Sequence, residues 1–258
     1  MKLHAKSSRR RFLARGVGAA GALALSGCDA LSRTEWFPRV LGAGEKLSQA
    51  AHHLLLPRKA MAQEFSDADR SPEFRSNGTA MPNSRQYQAL AAAGFVDYRL
   101  QVGGLVERPA SLSLAELHAL PSRTQVTRHD CVEGWSAIGK WKGARLSALL
   151  DAAGPKPEAR YVAFYCADPM EANGTALYYE SIDMDDARHE QTLLAYELND
   201  APLPIKNGAP IRLRVERQLG YKHAKYVMRI ELVQTFAKIA GGMGGYWEDQ
   251  GYEWYAGI

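Results

Sequence analysis

An α+β domain with mixed β-sheets is the fold class that the sequence predicts, and three observations support it. Apolar Tyr98, Leu100 and Val102 alternate with other residues, as in a half-buried strand. Further strand-like segments lie at 161–165, 193–198, 211–215 and 226–233. Short helical patterns separate them, the loops are long and no repeat is visible, which together favour α+β over a regular β-α alternation.

Two helices can be placed from their ends. The segment Ser113-Leu114-Ala115-Glu116 has the form of a capping box, so a short helix is predicted to begin there. Residues 144–153 predict a second helix, and the following Gly154-Pro155 predicts its end. The apolar face of this second helix would consist of Leu146, Leu149, Leu150 and Ala153.

Residues 1–27 have the composition of an export signal. They hold six basic residues and no acidic one, and Ser8-Arg9-Arg10-Arg11-Phe12-Leu13 has the twin-arginine pattern. The apolar run that follows is too short and too rich in glycine to span a membrane. The twin-arginine route exports folded proteins, which predicts a periplasmic protein whose cofactor is loaded before export.

The end of this leader, Leu25-Ser26-Gly27-Cys28, has the form of a lipoprotein box. It predicts that Cys28 is acylated and that lipid chains hold the protein at the membrane. An ordinary signal cleaved near a stray cysteine is the alternative.

The leader also explains the overall basic charge of +4. Six of the 32 basic residues lie in it, which leaves 26 basic against 28 acidic residues in the remaining chain. Because no basic stripe with interleaved aromatic residues is visible, nucleic acid is excluded as a partner.

Beyond the leader, residues 28–69 are predicted to form a tether with one amphipathic helix that ends near Pro57. Residues 70–258 suit one domain with a large core. Glycines and aromatic residues at 241–255 are predicted to wrap this core, with the rim of a pocket as the alternative.

The most informative stretch surrounds Cys131. A polar run with strand character at 123–127 leads into this cysteine, and a turn carrying Gly134 and Gly139 is predicted to lead out. A thiol at such a junction is displayed, and thiolates bind soft metals or act as nucleophiles. The alternatives are a packed core cysteine and a disulfide with Cys166.

Three blocks of sequence resemble the sulfite oxidase-like molybdopterin oxidoreductases, a group that includes the catalytic subunit of the periplasmic methionine sulfoxide reductase. The first block has Cys-Val-Glu-Gly-Trp at 131–135, Trp-x-Gly at 141–143 and Leu-x-x-Leu-Leu at 146–150. The second has Pro-x-x-Asn-Gly-Ala-Pro-x-Arg-Leu at 204–213 and Gly-Tyr-Lys-x-x-Lys at 220–225. The third is Phe-Arg-Ser-Asn-Gly at 74–78.

This resemblance implies a sulfite oxidase-type molybdopterin-binding fold, α+β with mixed sheets, in a single domain without the C-terminal immunoglobulin-like domain. It implies molybdenum-molybdopterin as the cofactor and Cys131 as the catalytic metal ligand. In this class the cofactor carries the redox chemistry, and the protein supplies position and electrostatics.

The resemblance also implies a set of cofactor contacts. His223, Ala224 and Lys225 would hold the phosphate end of the pterin, Asn207 and Arg212 would contact the pterin, and Ser76, Asn77 and Gly78 would supply a first contact stretch. Either Cys166 or Asp168 would take a further position near the metal. Arg214, Arg217 and Lys222 are assigned to a solvated face and are left out of the site.

Two departures from the family bear on the substrate. Sulfite-oxidising members place arginines around the metal, whereas Ser136 and Ser76 occupy two of those places here. Because each lost charge-assisted hydrogen bond is worth about 1.5–3 kcal/mol, a neutral sulfoxide or N-oxide is favoured over sulfite.

Electrons must come from a separate protein, because the sequence has no Cys-x-x-Cys-His motif and no four-cysteine iron–sulfur spacing. A haem-containing membrane subunit or a cytochrome is the expected partner. Two other functions stay open: a thiol hydrolase in which His129, His189 or His223 activates Cys131, and a metal-free binding module.

Overall fold

The computed structural model describes Thr34 and residues 36–55, 57, 59–171 and 176–258. The chain divides into two compact units at Leu55. In the first unit, helix α1 spans Trp36–Leu55, where the sequence predicts an amphipathic helix. The predicted signal at 1–27 and Cys28 lie outside the described residues. Among the helices that can be described, none is both long and apolar enough to cross a bilayer.

The second unit begins at Leu56 and contains ten strands and five further helices among its described residues. The helices are α2 (Arg85–Ala92), α3 (Leu114–Ala119), α4 (Leu146–Ala153), α5 (Met184–Ala187) and α6 (Tyr246–Asp249). The strands are β1 (Arg99–Gly104), β2 (Ala110–Ser113), β3 (Ser122–Cys131), β4 (Trp135–Arg145), β5 (Tyr161–Pro169), β6 (Leu177–Asp183), β7 (Leu193–Leu198), β8 (Ala201–Pro202), β9 (Arg212–Arg214) and β10 (Val227–Val233).

The strands form two five-stranded sheets. The first has the order β2-β1-β10-β5-β6, in which β1 and β10 run parallel and the other pairs are antiparallel. The second has the order β3-β4-β7-β8, with β9 paired to β7. One sheet thus mixes both strand directions, which confirms the predicted α+β class with mixed sheets.

The main core contains side chains from both sheets and from α4. The apolar face predicted for this helix is buried, and Gly154 ends the helix in the left-handed conformation, as predicted. The predicted capping box is also present: Ser113 accepts from the amide of Glu116, and the Glu116 carboxylate accepts from the amide of Ser113.

The prediction for Gly139 was wrong. This glycine lies within β4, opposite Thr127 of β3, and not in a turn. A Cβ atom at this position would approach the ring of Phe74 to 2.7 Å, so glycine is required by close packing. Gly143 has a similar role, because a Cβ atom there would lie 2.4 Å from the carbonyl oxygen of Leu194 on β7.

Residues before position 70 also pair with the sheets. Glu64 forms a bridge with Thr127, and the amide of Phe65 donates to the carbonyl of Val126 at 2.9 Å. The segment after Leu56 therefore belongs to the compact unit that carries the site.

Candidate active site

A cavity of about 430 Å³ lies beside the end of the β3–β4 hairpin. Its lining includes six of the predicted site residues: Asn77, Gly78, Cys131, Asp168, His223 and Lys225. The volume falls in the range of small-molecule and cofactor pockets, about 300–1,000 Å³. In the described part of the chain, no group of three or more His, Cys, Asp or Glu side chains could hold a metal.

Cys131 is displayed by the hairpin, as predicted. It is the last residue of β3 and pairs with Trp135, and the intervening loop closes through a hydrogen bond from the Gly134 amide to the Cys131 carbonyl at 3.0 Å. Gly134 has φ +82°, a conformation that favours glycine and completes this type of three-residue hairpin loop. The thiol is free and half-buried, so neither a disulfide nor full burial in the core occurs.

The environment of the thiol contains opposing electrostatic effects. Burial raises the pKa of Cys131, whereas hydrogen bonds from the amides of Glu133 and Val132 lower it. The guanidinium of Arg75 also lowers this pKa, and it lies 5.3 Å from the centroid of the Trp135 ring. The carboxylate of Glu133 raises the pKa in turn. The hairpin therefore presents one thiol with a cation and a carboxylate near it.

Another part of the cavity lining is built around Lys225. Its ammonium donates to the carbonyl oxygens of Asn77 and Thr79 and, at 3.3 Å, to that of Lys206. Burial lowers the pKa of Lys225 to about 8, while the nearby Asp168 opposes this shift. Lys225 therefore joins the predicted contact stretch at 76–78 to the second sequence block.

Backbone pairing brings the two halves of that second block together. Arg212 forms a bridge with Lys225, and the amide of Leu213 donates to the carbonyl of Ala224 at 2.7 Å. Gly208 has φ +113°, and a Cβ atom there would lie 2.6 Å from the Cβ of Lys225. Glycine is therefore required for the two segments to approach.

Arg212 is buried behind this wall. Its guanidinium donates to the carbonyl oxygens of Asn207 at 3.0 Å and His223 at 3.1 Å, and it lies 5.3 Å from the centroid of the Trp141 ring. Burial lowers the pKa of Arg212 to about 9, so it stays charged at neutral pH. Asn207 is also buried, and its side-chain nitrogen has no partner.

Two buried histidines pack edge to face, with the ring centroids of His129 and His223 4.9 Å apart. Burial, followed by nearby arginines, holds both pKa values well below the usual range, so both rings are neutral. His129 Nδ1 lies 3.0 Å from Arg214 Nη1, which can only donate, so the ring proton is on Nε2. A base for Cys131 needs a free lone pair, and His129 does not offer one.

The remaining predicted residues lie outside the cavity lining. Ser76 donates to the carbonyl of Lys206, and Ala224 is buried beneath Lys225. Cys166 is packed in the main core as a free thiol, whereas Asp168, two residues later, lines the cavity. Of the two candidates after the strand at 161–165, Asp168 is therefore the one that faces the cavity.

The assignment of three basic residues to a solvated face was wrong for two of them. Arg214 and Lys222 are fully buried, and Arg217 is only partly exposed. Arg214 forms an ion pair with Glu216 at 2.5 Å and lies 4.5 Å from the centroid of the Trp141 ring. Burial is possible because buried carboxylates compensate each charge, a pairing that spacing along the chain does not reveal.

The hydrogen-bonding groups of the cavity fit a pterin with an anionic end. His223 Nδ1 and Asp168 Oδ1 are buried on the lining and have no partner within the protein. Unpaired buried polar atoms are costly, so they indicate groups that pair with a ligand. Gly220 keeps the wall open, since a Cβ atom there would lie 2.7 Å from His129 Nε2.

Several lining residues were missed in the sequence analysis. Tyr178, Met170 and Trp247 all line the cavity, together with Glu133, two residues after Cys131. Trp247 also packs against the core, so the glycine- and aromatic-rich segment has both of its predicted roles. Its alternation of glycine and aromatic residues was the available signal, whereas Tyr178 gave none.

The fold and the cavity together define a cofactor-dependent enzyme. A free thiol on the hairpin lines the same cavity as buried cations and hydrogen-bonding groups that suit an anionic heterocycle. A protein-only metal centre would need several ligands grouped together, and the described residues do not provide them.

Comparisons with known proteins agree with this definition. Residues 88–238 match the family model described as the oxidoreductase molybdopterin binding domain. YedZ1 of Azospira oryzae, described as a candidate protein-methionine-sulfoxide reductase subunit, is 38% identical over 250 residues, which are 97% of this chain and 88% of that protein. The chain therefore belongs to the oxidoreductase molybdopterin-binding domain family and is a molybdopterin-dependent oxidoreductase, as predicted.

Other relatives match over shorter regions. The protein-methionine-sulfoxide reductase catalytic subunit MsrP of Xanthomonas axonopodis pv. citri is 39% identical over 151 residues, which are 55% of this chain and 47% of that protein. The chain thus spans under half the length of this relative. The sulfane dehydrogenase SoxCD of Paracoccus pantotrophus superposes with a TM-score of 0.48 at 25% identity, over 54% of this chain and 39% of that chain.

Proposed function

We propose that the protein is the catalytic subunit of a reductase that removes the oxygen atom from sulfoxides, with molybdenum-molybdopterin as its cofactor and Cys131 as the only protein ligand of the metal. The observation that carries this proposal is the free Cys131 thiol on a cavity that is also lined by the unpaired His223 Nδ1 and Asp168 Oδ1. When bound, the cofactor supplies two-electron oxygen-atom transfer. The chain's residues bind and orient it.

The basic side of the cavity would hold the pterin and its phosphate. Lys225 and His223 reach the cavity directly, whereas Arg212 and Asn207 lie behind it with an unpaired nitrogen each. Arg212 offers planar recognition that a lysine cannot replace. Asn77 and Gly78 complete this side through the carbonyl that Asn77 presents to Lys225.

Methionine sulfoxide, including its protein-bound form, is the substrate class that we propose. The relatives MsrP and YedZ1 are named for it. Met170 and Trp247 add an apolar part to the cavity lining that suits a thioether, since sulfur makes favourable contacts with aromatic rings. Ser136 points its hydroxyl to Asp130, so it does not replace the arginine of sulfite-oxidising members.

The electrons would come from a separate haem-containing protein in the membrane, because the sequence lacks its own haem or iron–sulfur motif. We also propose that the twin-arginine leader directs the folded protein to the periplasm and that acylated Cys28 anchors it to the membrane. Radiolabelled fatty acid incorporated by the wild type and not by Cys28→Ala would support the anchor, and equal labelling would contradict it.

The experiment that tests this function combines metal analysis with a substrate panel. Protein exported in folded form should contain about one molybdenum per chain and reduce methionine sulfoxide with a reduced dye as electron donor. N-oxides and sulfite complete the panel. Sulfite turnover equal to sulfoxide turnover would contradict the substrate argument, and metal-free protein would favour a binding module instead.

A further inference from the structure

Three buried charged side chains form a cluster behind the cavity wall. Lys222 donates through its ammonium to Glu180 Oε1 at 2.5 Å and to Glu248 Oε1 at 2.6 Å. All three side chains are almost fully buried. They come from β6, the 3-10 turn Gly220–Lys222 and α6, and the cofactor contacts described above do not use them.

The cluster has one more carboxyl group than it has cations. With both carboxyls ionised, a net negative charge would be buried, which is strongly unfavourable, so one carboxyl holds a proton. Burial accordingly raises the pKa of Glu180, Lys222 opposes this, and Glu248 adds to it.

The two carboxyl groups lie near one glycine. Glu248 Oε2 has no hydrogen-bond partner. A Cβ atom on Gly245 would lie 2.0 Å from Glu248 Oε2 and 2.8 Å from Glu180 Oε1. Both carboxyl groups therefore border the small space that Gly245 leaves open.

Tyr178 connects the cluster to the cavity. Its hydroxyl donates to the carbonyl of Tyr221 and also lies 3.2 Å from Glu180 Oε2. The tyrosine has one proton, and the carbonyl can only accept, so the second contact takes its proton from Glu180. Tyr178 itself lines the cavity.

The surroundings of the cluster come from several elements. The Ser181 amide donates to Glu180 Oε1 at 2.7 Å, and the centroid of the Trp254 ring lies 5.1 Å from Lys222 Nζ. The Cys166 thiol and the hydrogen-bonded pair of Tyr179 and Asp249 are also near the cluster. Lys222 is the cation among these groups, which supports a proton as the balancing charge.

We propose that Glu180, Glu248 and Lys222 form a proton store that delivers a proton through the Tyr178 hydroxyl to the substrate in the cavity. This inference rests on the proposed function. Reduction of a sulfoxide breaks the sulfur–oxygen bond, takes two electrons from the donor protein and two protons, and releases a thioether and water. Tyr178 passes its hydroxyl proton to the departing oxygen and receives the Glu180 proton. Solvent in the cavity supplies the second proton and then reloads the cluster.

Infrared spectroscopy tests the stored proton without any turnover. At neutral pH the wild type should show a protonated-carboxyl band that shifts in D₂O and is lost in both Glu180→Gln and Glu248→Gln. Asp186→Asn is the matched control, since Asp186 is a buried carboxylate paired with Arg217, and it should keep the band. Because burial raises the pKa of Asp168 on the cavity lining, Asp168→Asn shows how much of the protonated-carboxyl band comes from that residue. A band that persists in both glutamine variants would overturn the proposal.

Steady-state kinetics test whether the stored proton reaches the substrate through Tyr178. With methionine sulfoxide and a reduced dye, Tyr178→Phe and Glu180→Gln should lower kcat by about 100- to 10,000-fold, the range of general acid catalysis, and leave KM nearly unchanged. The solvent isotope effect on kcat should change in both. Tyr98→Phe is the control for Tyr178→Phe, because Tyr98 is buried and also donates to a backbone carbonyl.

Molybdenum content and melting temperature identify variants that have failed to fold or load. The two proposals fail differently. A wild type without molybdenum or sulfoxide reduction would contradict the proposed function. If the wild type is active and both Tyr178→Phe and Glu180→Gln keep the wild-type kcat and solvent isotope effect, only the proton store is contradicted.

Discussion

The two sides of the cavity are built in opposite ways. The hairpin wall, defined as residues 131–133, presents one thiol from a short loop, and Val132 beside it is 45% exposed. The basic wall, defined as His223 and Lys225 with Arg212 and Arg214 behind them, consists of side chains that are each at most 5% exposed.

This difference implies that the hairpin wall contributes mainly to the chemistry and the basic wall mainly to the stability of the fold. The hairpin wall is held by backbone pairing that any side chain at position 131 would leave intact. In the basic wall Arg214 forms an ion pair with Glu216, and Arg212 and Lys225 donate to backbone carbonyls. Substitutions on the hairpin wall should therefore change the chemistry, and those on the basic wall should first change folding.

The largest expected loss of stability follows Arg214→Ala. It leaves the Glu216 carboxylate buried without its partner, and breaking a buried ion pair in this way costs about 3–5 kcal/mol. Chemical denaturation should measure this decrease in the free energy of unfolding. A decrease below that of Cys131→Ala would contradict the contrast between the two walls.

Arg212→Gln should have the next largest effect. It removes hydrogen bonds from a charged donor to the carbonyls of Asn207 and His223, each worth about 1.5–3 kcal/mol. We expect lower stability and weaker retention of the pterin, measured by fluorescence of the released cofactor. Arg75→Gln is the matched control, because Arg75 is exposed beside the ring of Trp135, and this variant should keep its pterin.

A pH dependence should follow from His223. Its pKa is lower in the folded protein than in the unfolded chain because of burial, so the unfolded chain binds the extra proton. Stability is therefore fully present above the unfolded pKa of about 6.5 and is lost as the pH falls, with a slope of up to about 1.4 kcal/mol per pH unit. Denaturation of the cofactor-free protein at several pH values measures this, and His223→Gln should reduce the slope.

The smallest expected effect concerns the two cysteines. Cys131 is half-buried at the end of β3, so Cys131→Ala should change the free energy of unfolding by about 0.5 kcal/mol or less. Cys166→Ala opens a space in the core and should cost about 1–2 kcal/mol. Equal losses in the two variants, measured by thermal melts, would show that Cys131 is packed as tightly as Cys166.

The sequence predicted what depends on local patterns. Capping at Ser113, the apolar face of α4 and the strand bounds at 193–198 follow from periodicity and from residues at the ends of elements. The placement of Cys131 on a cavity also followed, since a hairpin loop displays its closing residue. Gly139 was misplaced because its requirement comes from the distant Phe74.

The pairing of buried basic side chains with carboxylates from distant parts of the chain could not be predicted in the same way. Arg214 and Lys222 looked like surface charges, since the sequence alone does not show which carboxylates meet them. Glu180 and Glu248 lie 68 residues apart in the chain, and Lys222 forms an ion pair with both. The cluster that holds the proposed proton was therefore invisible until the fold was known.

The account depends most directly on the sulfur of Cys131 as a ligand of molybdenum. X-ray absorption at the molybdenum edge counts the sulfur atoms bound to the metal, and Cys166→Ala is the matched control because both thiols are free. The wild type and Cys166→Ala should give the same number of sulfur ligands, and Cys131→Ala should give one fewer or contain no metal. An equal sulfur count in Cys131→Ala and the wild type would contradict the account.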